Sequence, residues 1–257
     1  MNILFILGAG ASRDITWQSN NIPLFPTGPE LIQQVLKNSF LTEYQSLNQT
    51  ERLSLVGKAP TNSIKAAYIK EICQFTKSEP QAILFLHAHL SKTKLQSLDF
   101  FIDEFREFES LVKFLIAESI WKCENNFYQA MKSNRLNPCW YDHLFQDGVL
   151  SPDSLKQHKI RFITFNYDRS LELYLQNYFP YTYKNSLKDG SVSNILKNIE
   201  IIHIHGCLGK IDFDNSAYPL NPGNPKEDAT FYGSMSKSIK TIHEGNSDME
   251  FMACSKV

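Results

Sequence analysis

An open, parallel α/β sheet interrupted by a large helical insertion is the fold class this sequence predicts, and three observations predict it. Ile3-Leu4-Phe5-Ile6-Leu7 is an unalternating apolar run that stops at Gly8-Ala9-Gly10-Ala11-Ser12, the pattern of a buried strand entering a tight turn. Strand-like runs return at residues 160–166 and 200–205, each ending in small or polar residues. The span from about residue 40 to residue 158 has mainly helical periodicity instead.

The elements follow in order. Residues 3–7 read as a strand buried on both faces. Residues 15–30, rich in proline, asparagine and glycine, read as a loop. A helix then runs from Glu30 to Lys37, with Leu31, Ile32, Val35 and Leu36 on its apolar side. The clearest helix covers residues 95–121. Leu95, Leu98, Ile102, Phe105, Phe108, Val112, Leu115 and Ser119 recur there at steps of three and four, a core-facing stripe. In the run at 200–205, a period of two puts Ile202 and Ile204 on one face and His203 and His205 on the other. A helix including Leu171 and Leu175 separates the last two strands. The whole chain reads as one domain. Its nucleotide-binding part covers about residues 1–30 and 159–257, and its insertion about residues 31–158. Ser247 and Glu250, at capping-box spacing, open a final helix over 247–257 with Met249, Met252 and Ala253 on its apolar side. Ligands of open α/β sheets bind beyond the carboxyl ends of the strands, where the three junctions converge.

Composition narrows the function classes. At 257 residues, 42% apolar and 12% aromatic, the chain buries a real core. Lysine plus arginine (26) nearly balances aspartate plus glutamate (27), so the basic excess of a dedicated nucleic-acid binder is missing. The five cysteines, Cys73, Cys123, Cys139, Cys207 and Cys254, are scattered without a CxxC pair. That pattern fits reduced thiols in a cytoplasmic protein better than a disulfide framework or a zinc ribbon. No lysine or arginine precedes the short apolar run at residues 3–7, so it does not read as a secretion signal. No stretch approaches the ~20 apolar residues of a membrane span.

Three short motifs carry chemistry. Gly8-Ala9-Gly10-Ala11-Ser12 lies where a phosphate-binding turn belongs, since glycines let the backbone come close to a pyrophosphate. The full GxGxxG fingerprint is not met, because Arg13 stands at its last position. Thr164-Phe165-Asn166-Tyr167-Asp168 ends a strand with side chains that accept and donate hydrogen bonds. Capping of the helix that starts near Arg169 is an equal alternative for Asp168. His203-Ile204-His205-Gly206 offers two imidazoles, one structural and one a working group near neutral pH. His205, beside the permissive Gly206, is the better candidate for the working group. An H-x-H metal site has no third ligand at matching spacing, and Asp212 and Asp214 complete one only by folding.

Taken in this order, the motifs resemble the sirtuin series GAG-x-S, T-x-N-x-D and HG. The segment from Phe5 through Ser12, followed by Ile22-Pro23-Leu24 and Leu31, is more closely similar to the sirtuin-like domains of bacterial antiphage-defence proteins. Ser97-Leu98-Asp99 and residues 162–172 fit that group too. The resemblance implies a Rossmann-like sheet and NAD as the substrate. It implies that Gly8, Ala9, Gly10, Ala11 and Ser12 hold the pyrophosphate. It places Asn166 and Asp168 at the nicotinamide ribose, makes Thr164 and Gly206 cofactor-binding residues too, and gives Asn166 and His205 as the catalytic pair.

Sirtuin deacylases carry a four-cysteine zinc module after the HG motif, and here only Cys207 follows closely. The expectation therefore shifts from deacylation to NAD hydrolysis without zinc, by an effector that waits for an activating partner or for self-association. A non-catalytic NAD- or ADP-ribose-binding module is the alternative, and an NAD-dependent protein deacylase a weaker one. An ordinary dehydrogenase fits poorly, because the glycine pattern is wrong and no acidic residue stands at the expected distance on a second strand. Relatives of this type return after the last helix to a further strand near the adenosine. With no such strand, the sequence leads one to expect weak NAD binding by this chain alone.

Overall fold

The computed structural model describes residues 2–37, 39–60, 62–92, 97–146, 150, 155, 157–182, 196, 198–211, 221–222, 228–241 and 244. The expected helix over 247–257, Asp212, Asp214 and Cys254 lie outside the described residues. In chain order the elements are β1 (Asn2–Leu7), α1 (Ala9–Arg13), α2 (Gly28–Leu36), α3 (Ser39–Ser46), α4 (Gln49–Leu55), α5 (Ile64–Thr76), α6 (Pro80–Lys92) and α7 (Leu98–Glu104). They continue with a 3-10 turn (Arg106–Phe108), α8 (Glu109–Lys132), α9 (Trp140–Gln146), β2 (Lys159–Thr164), α10 (Ser170–Thr182), β3 (Ile199–His203) and α11 (Ala229–Ser236). The fold is mixed α/β with an open parallel sheet. The chain divides into two compact units, one of residues 1–26, 120–224 and 240–257, the other of residues 27–119 and 225–239.

The first unit holds the sheet, in the order β1-β2-β3 with both pairings parallel. Register puts Ile3, Ile160 and Ile199 in one row, Phe5, Phe162 and Ile201 in the next, and Leu7, Thr164 and His203 at the carboxyl end. This face is the core side. Phe162 is wholly buried and stacks on Phe5 at 5.0 Å, while Phe25 meets Phe127 edge-on at 5.6 Å. The other face carries Leu4 and Ile6 beside Arg161 and Ile163, with an exposed 2.7 Å ion pair between Arg161 and Glu200. Here the expectation for β1 is corrected. Ile6 is 67% exposed and Leu4 41%, so the strand is buried on one face only. An apolar run records a strand's tolerance for burial, and β1 is the edge of the described sheet, where one face lacks a cover.

The second unit is helical. Thr27 and Glu30 form a capping box, with Pro29 in the first turn, so α2 begins two residues before the expected Glu30. Helix α11 packs on α5 so closely that a Cβ at Gly233 would fall inside the Phe75 ring. The single helix expected over 95–121 is broken. Phe105 leaves helical geometry at φ −129°, ψ 67°, and its ring joins a cluster with Phe85, His89, Phe101 and Phe108. These ring contacts accompany the break at half-buried Phe105, while the stripe of Leu98, Ile102, Phe108, Val112 and Leu115 is buried as periodicity requires.

Burial on the two sheet faces leads to opposite costs for similar residues. Phe162→Ala should lower unfolding free energy by about 3–5 kcal/mol in urea titration, whereas Ile6→Ala should stay within about 0.5 kcal/mol. Equal losses at the two positions would contradict the exposure of Ile6 on the outer face of β1.

Candidate active site at the carboxyl ends of the strands

Beyond β1 the chain turns through Gly8, which caps α1 with extended backbone at φ −117°, ψ −177°. The Ala11 amide donates to the Gly8 carbonyl at 2.9 Å. A Cβ at Gly8 or at Gly10 would touch nothing within 4 Å. Neither packing nor a positive φ requires these glycines, and both face open space. That space is a shallow, open depression of about 490 Å³ lined by Leu7, Gly8, Gly10, Ala11 and Trp140, among others. Trp140 forms one wall and is fixed there. Its indole N–H donates to the Ala11 carbonyl at 2.8 Å and its backbone amide to Asp14 at 2.9 Å.

Ser12 faces inward and joins this turn to the segment after β2. The Asn166 amide nitrogen donates to Ser12 Oγ at 2.7 Å and to the Gly8 carbonyl at 3.1 Å. A carbonyl only accepts, so it fixes which end of the Asn166 amide is nitrogen. Ser12 Oγ–H donates to Asp168 Oδ1 at 2.9 Å, and Asp168 Oδ1 also accepts the Ser170 amide at 3.2 Å. Asp168 thus takes the capping role at the start of α10 and also binds Ser12. Tyr141 Oη lies 2.8 Å from Ser170 Oγ, which lies 3.2 Å from Ser12 Oγ. With the Ser12 proton committed to Asp168, the order of donation is Tyr141 to Ser170 to Ser12. The Asn166 backbone N–H donates to Thr164 Oγ1 at 3.1 Å, which tightens the turn.

Burial pushes the Asp168 carboxyl up from the ordinary range, opposed by its hydrogen bonds from Ser170 and Ser12. Burial, together with the Asp168 charge, pushes the Tyr141 phenol well up, so it stays a donor. A narrow polar cavity of about 10 Å³ beneath this cluster touches Ser12, Tyr141, Asn166, Asp168, Glu172 and His203. It has room for about one water, too little for a dinucleotide.

The two histidines separate. Strand β3 ends at His203, not at residue 205 as the alternation predicts. Gly206 adopts φ 66° and its N–H returns to the His203 carbonyl at 3.1 Å, a tight turn that takes His205 out of the strand. His203 Nδ1 donates to the Asn166 carbonyl at 2.9 Å, and its Nε2 meets Glu172 Oε1 at 2.7 Å. Burial alone would lower the His203 pKa, but the Glu172 charge and the hydrogen bonds to Glu172 and Asn166 hold it above the ordinary value. His203 is therefore a structural cation under the Asn166 turn. His205 sits between the rings of Phe165 and Tyr167, at 5.9 and 6.0 Å, and its carbonyl accepts from the Lys240 amide at 2.8 Å.

Of the residues the sequence nominates, the fold joins Gly8, Ser12, Thr164, Asn166 and Asp168 in one network, with Ala9, Gly10 and Ala11 in the turn beside it. Sequence reasoning missed Tyr141, Ser170, Glu172 and Trp140. Ser170 and Glu172 lie within the motif segment, but Tyr141 and Trp140 come from the helical span, where nothing in the local pattern marks them. Cys207, next to Gly206, is no nucleophile, because burial pushes its thiol to about 12. Among the described residues, Cys73, Cys123, Cys139 and Cys207 form no disulfide. No group of three or more His, Cys, Asp or Glu side chains able to hold a metal ion occurs among them. No helix among them is long and apolar enough to cross a membrane. Comparison of the chain with protein-family models, with curated proteins and with solved structures finds no match.

The His203–Glu172 pair makes a prediction with a definite sign. A raised folded-state pKa contributes stability that is complete below about pH 6.5 and is lost as pH rises through the folded value. The stability gap between wild type and Glu172→Gln should therefore be widest below about pH 6.5 and narrow as pH rises through the raised folded-state value, by about 1.4 kcal/mol per unit of pairing shift. Urea titrations at several pH values check this. A gap that is constant or widens with pH would contradict the ion pair.

Proposed function

We propose that this chain is an NAD⁺ hydrolase that cleaves the nicotinamide–ribose bond to give nicotinamide and ADP-ribose. The observation that carries the reading is the hydrogen-bonded junction of Ser12, Asn166 and Asp168 beside an open depression in which two glycines face open space. In this reading the pyrophosphate lies over Gly8 and Gly10, where the first amides of α1 point at its charge. Asn166 presents its Oδ1 to the ribose end, because both its N–H groups are held by Gly8 and Ser12. Thr164 and Asp168 keep that turn in place, and Gly206 gives residue 205 its position.

The chemistry balances without a further reactant. Water attacks the ribose carbon as its bond to the pyridinium nitrogen breaks. The bonding pair goes to that nitrogen, so nicotinamide leaves neutral, and the water proton passes to His205. The oxocarbenium-like transition state is stabilised by polar groups already fixed in position, Asn166 Oδ1 among them. No zinc takes part. Uncontrolled loss of NAD kills a cell, so we infer a cytoplasmic antiphage effector that stays idle until a partner protein or self-association triggers it. The motif resemblance is the support for that role.

One observation favours a second reading, a non-catalytic NAD- or ADP-ribose-binding module. The Asn166 donors and the Ser12 hydroxyl are already engaged within the chain. Release of nicotinamide from NAD⁺ by the triggered protein separates the two, since binding without release selects the module. Asn166→Ala and His205→Ala should each slow release by about 10²–10⁴-fold, and wild-type rates in both would overturn the hydrolase assignment.

The glycine turn supplies an independent check. Gly10→Ala lies within α1 and in open space, so it should raise stability by up to about 1 kcal/mol. The same methyl group should weaken NAD⁺ binding measured by calorimetry. Unchanged binding would place the pyrophosphate elsewhere.

A further inference from the structure

Glu124 and Arg169 form an ion pair in the interior of the first unit, with side chains 0% and 1% exposed. The Glu124 carboxylate, on α8, receives four contacts from one residue. Its Oε1 accepts the Arg169 backbone amide at 2.6 Å and Nε at 3.2 Å. Its Oε2 accepts Nε at 3.1 Å and Nη2 at 2.5 Å. The remaining arm of the guanidinium, Nη1, donates to the Gly209 carbonyl at 3.2 Å, and the Trp121 ring lies 6.0 Å from the guanidinium carbon. Burial pushes Glu124 up from the ordinary carboxylate range while the Arg169 charge opposes it. All four of these contacts to the carboxylate come from donors and arginine keeps its proton, so the pair is ionised.

Stability alone does not account for such a pair. Taking two charges out of water costs several kcal/mol for each ion, and apolar residues of similar volume are commonly as stable. An apolar pair lacks the capacity to accept the Arg169 amide and, at the same time, to donate to the Gly209 carbonyl. Arg169 stands three residues after Asn166, and Gly209 stands four residues after His205. Both turns come from strand ends, and Gly206 and Gly209, at φ of 66° and 93°, are the residues with the most backbone freedom, so a side-chain tether has an effect there.

We propose that Glu124 is a positioning residue. Through Arg169 it locks the turn of Asn166 to the turn of His205 and thereby sets the rate of the chemical step. The proposal rests on the hydrolase reading for its kinetic consequence and on geometry alone for the lock itself.

The test replaces the pair by apolar residues, Glu124→Leu with Arg169→Met, in the full chain, so that no buried charge is left alone. Arg169→Lys, which keeps the charge but loses the fork, serves as the milder variant should the first fail to fold. In the folded variant, kcat for NAD⁺ should fall about 10–100-fold, while KM stays within about twofold. Hydrogen exchange at the amides of residue 169 and residues 206–209 should speed up by at least about tenfold, with the rest of the sheet unchanged. Wild-type kcat together with wild-type protection of both turns would overturn the proposal. Should the wild-type protein release no nicotinamide, the hydrolase reading fails by itself. Exchange then decides the lock, and unchanged protection in a folded variant refutes it.

Discussion

A serine hydroxyl has one proton and two lone pairs, and Ser12 fills all three capacities. It donates to Asp168, accepts from Asn166, and stands at 3.2 Å from Ser170 in an order that makes Ser170 the donor. These contacts join residues more than 150 positions apart in the chain. The parallel pairing of β1 with β2 brings the two strand ends together, and Ser12 specifies how the turns beyond them face each other. Without that hydroxyl, a buried amide donor and a buried carboxylate oxygen lose a partner, each at a cost of about 1–3 kcal/mol.

Around this point the buried polar groups sort into layers with different work. Tyr141 and Ser170 supply a directed chain of hydroxyl protons that ends on Asp168. His203, as a cation on Glu172, holds the Asn166 carbonyl from beneath. The Glu124–Arg169 pair reaches the same turn from α8 through the backbone amide of residue 169. Asn166 is consequently fixed by its side-chain nitrogen, its backbone nitrogen and its backbone oxygen. A site that develops charge on a ribose carbon benefits from such fixity, because groups already in place need no reorganisation as the bond breaks.

Much of this was legible in the sequence, for definable reasons. Apolar runs ending in small or polar residues mark the three strands, and the co-linear motifs name Ser12, Asn166 and Asp168 before any geometry is known. Features set by tertiary neighbours were not legible. Ile6 looks like its buried neighbours in sequence yet is 67% exposed, because an edge strand and an inner strand can share the same apolar pattern. Phe105 continues a helical stripe in sequence but leaves the helix where its ring joins an aromatic cluster. His205 continues an alternation that Gly206 cuts short with a positive φ. Tyr141 and Glu124 lie in helices whose local pattern speaks only of core packing, and their partners are distant in the chain.

In the proposed reading NAD⁺ binds over the glycine turn with its nicotinamide ribose at Asn166. Titration of the isotopically labelled chain with NAD⁺, followed through amide resonances, tests it most directly. The account predicts shifts at the backbone amides of residues 8–12, at the side-chain amide of Asn166 and at His205. Shifts confined to surfaces away from the strand ends, or none at saturating NAD⁺, would contradict it.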